Sequence, residues 1–190
     1  SPIDTCRSVG NHSKGRLASF IMKAILLFVA AAIFFTAAAA AVPAQSKLII
    51  LVRHAEKDIS ENADPNDPPL NAAGLERAQR FARVIGKYRP GAFYSTDFKR
   101  TRDTVSPLAA KRGKQVELYD PRKPNELIEK VLAGKTKRVV IAGHSNSIPG
   151  LANAITKKAV FRNLDESEYT VIWLIRLKDG KVTKVELLDY

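Results

Sequence analysis

Apolar residues along the chain occur in short continuous runs that alternate with segments of helical periodicity. The runs have the composition of buried strands; they are KLIILV at 47–52, AFYS at 92–95, QVELY at 115–119 and KRVVIAGH at 137–144. Between them, helices are predicted at 70–88, 101–112, 124–134 and 147–156. This alternation predicts the α/β class, as a three-layer α/β/α sandwich around a mostly parallel sheet.

Two further patterns refine this prediction. In the first helix, Asn71 is a candidate N-cap, and a stripe of apolar residues is expected to face the core; the stripe consists of Leu75, Ala78, Ala82 and Ile85. Near the carboxyl end, the runs YTVIWLIRL and KVTKVELLD flank Asp179-Gly180. That pattern predicts an antiparallel hairpin at one edge of the sheet.

The amino-terminal 44 residues differ from the rest. Met22 and Lys23 precede a long apolar run that ends in the small residues Val42-Pro43-Ala44. We interpret residues 22–44 as a signal peptide cleaved after Ala44, and 1–21 as non-native or upstream sequence, because they carry no periodic pattern. A retained membrane anchor is the alternative, since the apolar run approaches the ~18–20 residues that span a bilayer. Residues 45–190 are then the folded domain, located in the periplasm or secreted.

Charge and cysteine content narrow the function classes. The chain has 31 Lys and Arg against 19 Asp and Glu. Residues 1–44 hold four of the former and one of the latter, which leaves +9 for the remainder. The charges are scattered, so we expect a solvated basic surface and no nucleic-acid partner. The single cysteine, Cys6, lies in the upstream segment, so the domain has no thiol chemistry.

Two of the predicted strands run directly into a histidine, LIILVRH at His54 and VVIAGH at His144. In open α/β sheets, ligands bind at the carboxyl ends of the strands, so both imidazoles are expected at the same site. Arg53 precedes the first histidine, and Arg100 stands at the start of a predicted helix, where the helix dipole disfavours a cation unless an anion is bound. Arginine and histidine together indicate a phosphate pocket.

Four segments carry a resemblance to a known family. VRHAE is similar to the R-H-G-E signature of the histidine phosphatase superfamily, branch 1, whose fold is that of phosphoglycerate mutase. LNAAGLERAQ, YSTDFKRTRDT and VIAGHSN resemble three further family segments, in the family's order. The small periplasmic members with R-H-A-E-K and G-H-S-N are the most similar type. Ala55 stands where the family usually has glycine, which implies a slight backbone adjustment.

This resemblance implies roles for several residues. His54 would be the nucleophile that forms a phosphohistidine, Arg53 and Arg100 would hold the phosphoryl oxygens, and His144 would donate a further hydrogen bond. Neutral His54 attacks in line, and the surrounding cations are expected to lower its pKa. No cofactor and no metal are expected, because two arginines beside the histidines would repel a cation.

The remaining site assignments are less direct. Many relatives supply a general acid after the third strand, where this chain has YDPRKPNELIE. Asp120 is the favoured candidate, since Glu126 and Glu129 fit ordinary partners of a helix dipole. Some short relatives have no dedicated acid. Glu56 is expected to orient the site from behind the phosphate-binding residues, and Asn146 of G-H-S-N to bind substrate.

The predicted function is hydrolysis of phosphomonoesters outside the cytoplasm, with a small phosphorylated substrate. A phosphoglycerate-type mutase and a phosphohistidine-protein phosphatase share the implied chemistry, but export disfavours both. A non-catalytic phosphate-binding module is the alternative of another class. After signal cleavage no stable membrane association is expected, and the sequence leaves the oligomeric state and the physiological substrate open.

Overall fold

The computed structural model describes Met22, Lys23 and residues 45–190. The predicted upstream segment 1–21 and almost all of the predicted signal peptide 22–44 therefore lie outside the described residues, and both assignments stay predictions. Within the described ranges, no helix combines the length and the apolar character needed to cross a bilayer.

Residues 45–190 form a six-stranded mixed sheet with helices between the strands, which confirms the predicted fold class. The strand order is β3-β2-β4-β1-β5-β6; β1 to β4 run parallel, whereas β5 pairs antiparallel with β1 and β6. The elements are β1 (Ser46–Arg53), α1 (Ala72–Gly86), β2 (Ala92–Ser95), α2 (Lys99–Lys111), β3 (Val116–Leu118), α3 (Pro124–Ala133), β4 (Arg138–Gly143), α4 (Ser147–Thr156), β5 (Val171–Lys178) and β6 (Lys181–Asp189).

The aliphatic run of β1 divides its side chains between two hydrophobic cores. Ile50 and Val52 pack in one cluster with Phe81 of α1 and Leu108 of α2. The alternate residues of β1 pack in a second cluster with side chains of α3 and α4. Because successive residues of a strand point to opposite faces, a strand covered on both sides needs apolar residues at every position. This requirement explains the continuous run in the sequence.

Helix α1 follows the predicted pattern with one correction. The Asn71 side chain accepts a hydrogen bond from the Gly74 amide at 2.9 Å, as expected of an N-cap. Leu75, predicted to be buried, is 55% exposed, and Phe81 is fully buried instead. Leu75 lies on the solvent side of the first turn, whereas its neighbour Gly74 is buried against the Glu56 backbone.

Gly74 lets α1 approach the chain just after β1. A Cβ atom at this position would lie 2.2 Å from the Glu56 carbonyl oxygen, far inside contact distance. The same oxygen accepts a hydrogen bond from the Asn71 amide at 3.0 Å. Glycine at this position of the LNAAGLERAQ segment is therefore a requirement of close backbone packing. The contact fixes the backbone two residues beyond His54.

The parallel strands bring their carboxyl ends to the same edge of the sheet. The β1 and β4 strands are direct neighbours, with Arg53 paired to Gly143. The backbone amide of His54 donates to the Gly143 carbonyl at 2.8 Å, so the pairing extends into the first histidine. The register of these two strands places His54 and His144 side by side.

Candidate active site

The two histidines of the sequence pattern meet at the carboxyl edge of the sheet. Their ring centroids lie 5.4 Å apart in an edge-on arrangement. His54 is buried, with 5% of its surface exposed, and His144 is partly buried. Each follows the last residue of its strand, so rigid backbone fixes the separation of the imidazoles.

The hydrogen bonding of His54 determines which ring nitrogen can react. Its Nδ1 lies 2.8 Å from the Ala55 carbonyl oxygen. A carbonyl oxygen can only accept, so Nδ1 carries the proton and donates it to this bond. In the neutral ring, Nε2 then has the free lone pair. His54 is therefore held in the tautomer that a nucleophilic attack through Nε2 requires.

Both imidazoles are neutral over all but acidic pH. Burial, with smaller contributions from the Arg100, His144 and Arg53 charges, lowers the pKa of His54 to about 3. Burial and the same two arginines lower the pKa of His144 to about 4. The predicted direction for His54 is thus found, but its main cause is removal from water and not the neighbouring cations. A neutral imidazole can act as a nucleophile without losing a proton first.

His144 is positioned by contacts on both sides. Its Nε2 lies 2.9 Å from the Thr96 hydroxyl, which follows the carboxyl end of β2. The Phe98 ring meets the imidazole edge-on, with centroids 5.1 Å apart. The backbone amide of His144 donates to the Ser147 hydroxyl at 2.9 Å, where α4 begins. These contacts fix the ring and leave its Nδ1 for a further partner.

Arg100 is the clearest sign that the pocket receives an anion. Its Nε and Nη1 are buried and have no hydrogen-bond partner among the described residues. Its guanidinium stacks on the Phe98 ring, with Cζ 4.4 Å from the centroid. Burial lowers the pKa of Arg100, and burying charged donors without partners costs several kcal/mol. An anion with several acceptor oxygens would satisfy both nitrogens.

Arg53 is bound mainly by the protein itself. It is 1% exposed, and its Nη1 donates to the carbonyl oxygens of Asp165, Glu166 and Glu168, at 2.6, 3.3 and 3.0 Å. Its Cζ lies 4.1 Å from the centroid of the Tyr169 ring. Only Nε is buried without a partner among the described residues. The Nε of Arg53 thus joins two nitrogens of Arg100 as donors without an acceptor.

Glu56 pairs with an arginine of α1, and its predicted role in orienting the site stays a prediction. Both of its carboxylate oxygens accept hydrogen bonds from Arg77 of α1, the shortest at 2.7 Å. Arg77 also donates to the carbonyl oxygen of Tyr190 at 3.0 Å. The pair ties the chain after His54 to α1 and to the last residue, and it leaves Glu56 no free oxygen for substrate.

The structure does not support Asp120 as the proton donor. Its two oxygens are engaged by the Arg122 guanidinium at 2.9–3.2 Å. These hydrogen bonds lower the pKa of Asp120 to about 2, which favours its carboxylate form over the protonated form that a donor needs. Asn146 is exposed just before α4, and its side chain makes no cap bond, so its amide is available to a ligand.

Sequence reasoning missed two threonines that support the site. Besides Thr96, the buried Thr104 accepts a hydrogen bond from the Ala55 amide at 2.9 Å and donates to the Arg100 carbonyl at 2.7 Å. One hydroxyl therefore links the residue after His54 to the helix that carries Arg100. Thr104 stands four residues after Arg100, one helical turn away, and that spacing was the available signal.

The site shows no arrangement suited to a metal ion. Across the residues that the structure describes, no group of three or more His, Cys, Asp or Glu side chains could hold one. Arg53 and Arg100 instead supply positive charge from the protein. The donors that are present fit a phosphoryl group.

Comparisons with known proteins identify the family that the central part of the chain resembles. Residues 49–126 match the model of the histidine phosphatase superfamily, branch 1. This range therefore has the sequence character of that superfamily. The matched range includes His54 and Arg100, whereas His144 lies beyond it and joins the site through the pairing of β4 with β1. The chain has no significant match among curated protein sequences.

Several solved structures share the fold. A mycobacterial glucosyl-3-phosphoglycerate phosphatase in complex with inorganic phosphate aligns with a TM-score of 0.60 at 16% identity, over 76% of this chain and 97% of that chain. The protein histidine phosphatase SixA complexed with tungstate aligns with a TM-score of 0.61 at 12% identity, over 75% of this chain and 96% of that chain. A protein described as mycobacterial hydrolase 1 aligns with a TM-score of 0.60 at 17% identity, over 75% of this chain and 96% of that chain. At these identities the likeness establishes the fold alone.

Proposed function

We propose that this protein is a histidine phosphatase that hydrolyses phosphomonoesters through a phosphohistidine intermediate on His54. The observation that carries the proposal is that a candidate nucleophile lies beside a candidate anion-binding site. His54 has a free Nε2 lone pair, and beside it three arginine nitrogens are buried without an acceptor among the described residues. Phosphoryl transfer depends mainly on positioning and charge neutralisation, and this arrangement supplies both.

The reaction has two steps at one pocket. In the first, Nε2 of His54 attacks phosphorus in line, the N–P bond forms and the bond to the leaving oxygen breaks. Arg53 Nε and Arg100 bind the oxygens that gain charge. His144 Nδ1 supplies a further hydrogen bond to the phosphoryl group. In the second, water attacks phosphorus, the N–P bond breaks and inorganic phosphate leaves with His54 regenerated.

The direct test is release of phosphate from p-nitrophenyl phosphate by the purified protein in the presence of EDTA, at acidic to neutral pH. We expect turnover without added metal, and an acid-labile phosphoryl-enzyme that can be trapped by rapid denaturation in base. Binding of phosphate without turnover would favour a binding module. Transfer of the phosphoryl group to an alcohol acceptor with no release of phosphate would favour a mutase.

We also propose that the enzyme is exported and acts on a small phosphorylated substrate outside the cytoplasm. The support is the sequence pattern of residues 22–44 alone. Amino-terminal sequencing of the protein recovered from a bacterial host should find Gln45 as the first residue, in the periplasmic fraction. A protein that keeps residues 22–44 and sediments with membranes would show the retained anchor instead.

A further inference from the structure

The segment from Asp165 to Tyr169 lies across the buried Arg53. Three of its carbonyl oxygens accept hydrogen bonds from one guanidinium nitrogen, and the Tyr169 ring stacks on the same group. The Tyr169 ring also lies near the nucleophile, with its centroid 6.2 Å from that of His54. This connection between α4 and β5 is therefore part of the wall of the phosphoryl pocket.

The segment places one carboxylate at the edge of this pocket. Glu166 Oε2 lies 3.4 Å from Arg53 Nη2 and 4.0 Å from the Lys57 ammonium group. The Glu166 side chain is 76% exposed, whereas Arg53 is almost fully buried. Its carboxylate thus lies where the buried guanidinium meets solvent. A phosphoryl group bound to Arg53 would be within reach of this carboxylate.

We propose that Glu166 is the general acid that protonates the leaving oxygen, a role that rests on the proposed function of the site. In-line displacement puts the leaving oxygen on the side of phosphorus opposite His54 Nε2. Because His54 is buried at the end of β1, that side faces the opening of the pocket, where the exposed Glu166 lies.

The proton balance closes with this one residue. In the first step, the N–P bond forms, the P–O bond breaks, and the Glu166 carboxyl gives its proton to the departing alkoxide. In the second step, the Glu166 carboxylate takes a proton from water as the water oxygen attacks phosphorus. The N–P bond then breaks, phosphate leaves, and both His54 and the carboxyl return to their starting forms. No co-reactant other than water is needed.

The substrate competes with Glu166 for its cationic partners. Without substrate, Arg53 and Lys57 pair with the Glu166 carboxylate. A phosphomonoester brings close to two negative charges, which take over the arginine. Binding of substrate therefore releases Glu166 from its pairing with Arg53.

Other carboxylates near the pocket are less suited. Asp120 is fixed as an anion by Arg122, and Glu56 has both oxygens on Arg77. Asp67 acts on Arg100 through its charge, but its Oδ1 accepts the Lys99 amide at 2.8 Å, at the start of α2. Glu166 instead contacts an arginine of the pocket through a side chain that can move.

The experiment compares two leaving groups in the full chain. Nitrophenolate departs readily without a proton, whereas the alkoxide of glycerol phosphate requires one. We expect Glu166→Gln to lower kcat for glycerol phosphate by about 10²–10⁴-fold and kcat for p-nitrophenyl phosphate by less than about tenfold. Glu166→Asp, which keeps the acid on a shorter side chain, should recover part of the activity on glycerol phosphate.

Two controls make the comparison specific. Glu117→Gln makes the same change at an exposed glutamate on β3 that pairs with Lys130, and it should leave both substrates unaffected. Asp120→Asn should likewise leave both unaffected. Retained turnover of p-nitrophenyl phosphate by Glu166→Gln would show that the variant is folded.

Three outcomes would overturn the assignment. Equal losses on the two substrates would mean that Glu166 only supports the segment around Arg53. No loss on glycerol phosphate would mean that it takes no part in proton transfer. A lower KM with unchanged kcat on both would mean that its carboxylate merely competes with the phosphoryl group. The His54→Ala variant tests the proposed function separately. If that variant kept its activity, no phosphohistidine on His54 would be needed, and the proposed function would fail whatever the result for Glu166.

Discussion

Replacing His54 by alanine is expected to lower kcat for p-nitrophenyl phosphate by about 10³-fold or more, as for other covalent nucleophiles. The variant loses the Nε2 lone pair that the hydrogen bond from Nδ1 to Ala55 exposes. The arginines that would bind the phosphoryl group are unchanged. The loss should therefore appear in kcat, while inorganic phosphate still binds.

The measurement is steady-state turnover together with trapping of the phosphoryl-enzyme from labelled substrate. The wild-type protein should give a base-stable, acid-labile adduct, and His54→Ala should give none. Phosphate binding, followed by calorimetry, serves as the control for a folded pocket. An adduct that persists in the variant would place the nucleophile elsewhere.

The same variant has a signature in its acid stability. The folded-state pKa of His54 is about 3, well below the value of about 6.5 for an exposed histidine. Between these values the unfolded chain binds more protons than the folded one, so the free energy of unfolding decreases as the pH falls through this window. His54→Ala lacks this contribution and should lose less stability than the wild-type protein over the same range. An identical loss would argue against the buried neutral imidazole.

Much of the fold could be predicted because the strands have simple patterns. The run of β1 must serve two cores, and this requirement makes it continuous and easy to identify. The inward face of α1 was predicted less well. Leu75 has the right spacing but is exposed, since the first turn makes its close contact through Gly74, whereas Phe81 is buried in the core. Periodicity specifies the approximate face of a helix and not which residues of that face make the tertiary contacts.

The site could be predicted only as far as the strand ends determine it. His54, His144 and Arg100 follow from strand order and the start of a helix, because backbone geometry places them. The partners of Arg53 lie more than a hundred residues away, in a connection without regular structure. No local sequence pattern predicts that contact. The contact of Glu166 with Arg53 has no local signal either, whereas Asp120 was predicted from its place after the third strand, where many relatives supply an acid.

The second large effect is expected at Arg100. Replacing it by alanine should lower kcat/KM by about 10²–10³-fold, as for the loss of one electrostatic donor to the transition state. Its Nε and Nη1 are buried without partners among the described residues, so we expect the substrate to be their acceptor. Arg102→Ala is the matched control, since Arg102 lies on the same helix but pairs with Asp97 at the surface. The control should keep its activity within about twofold, because exposed ion pairs contribute little.

Stability measurements separate a phosphate-binding arginine from a structural one. Removing Arg100 relieves two unpaired buried donors, at about 1–3 kcal/mol each, and loses the stacking on Phe98, which contributes about 0.5–2 kcal/mol. Without ligand, the variant should therefore be as stable as the wild-type protein or more stable. Inorganic phosphate should raise the Tm of the wild-type protein and of Arg102→Ala, because it binds only the folded state, but not that of Arg100→Ala. Arg100→Ala could instead lower the Tm without ligand and leave the response to phosphate intact. In that case the arginine supports the fold, and phosphate binds elsewhere in the pocket.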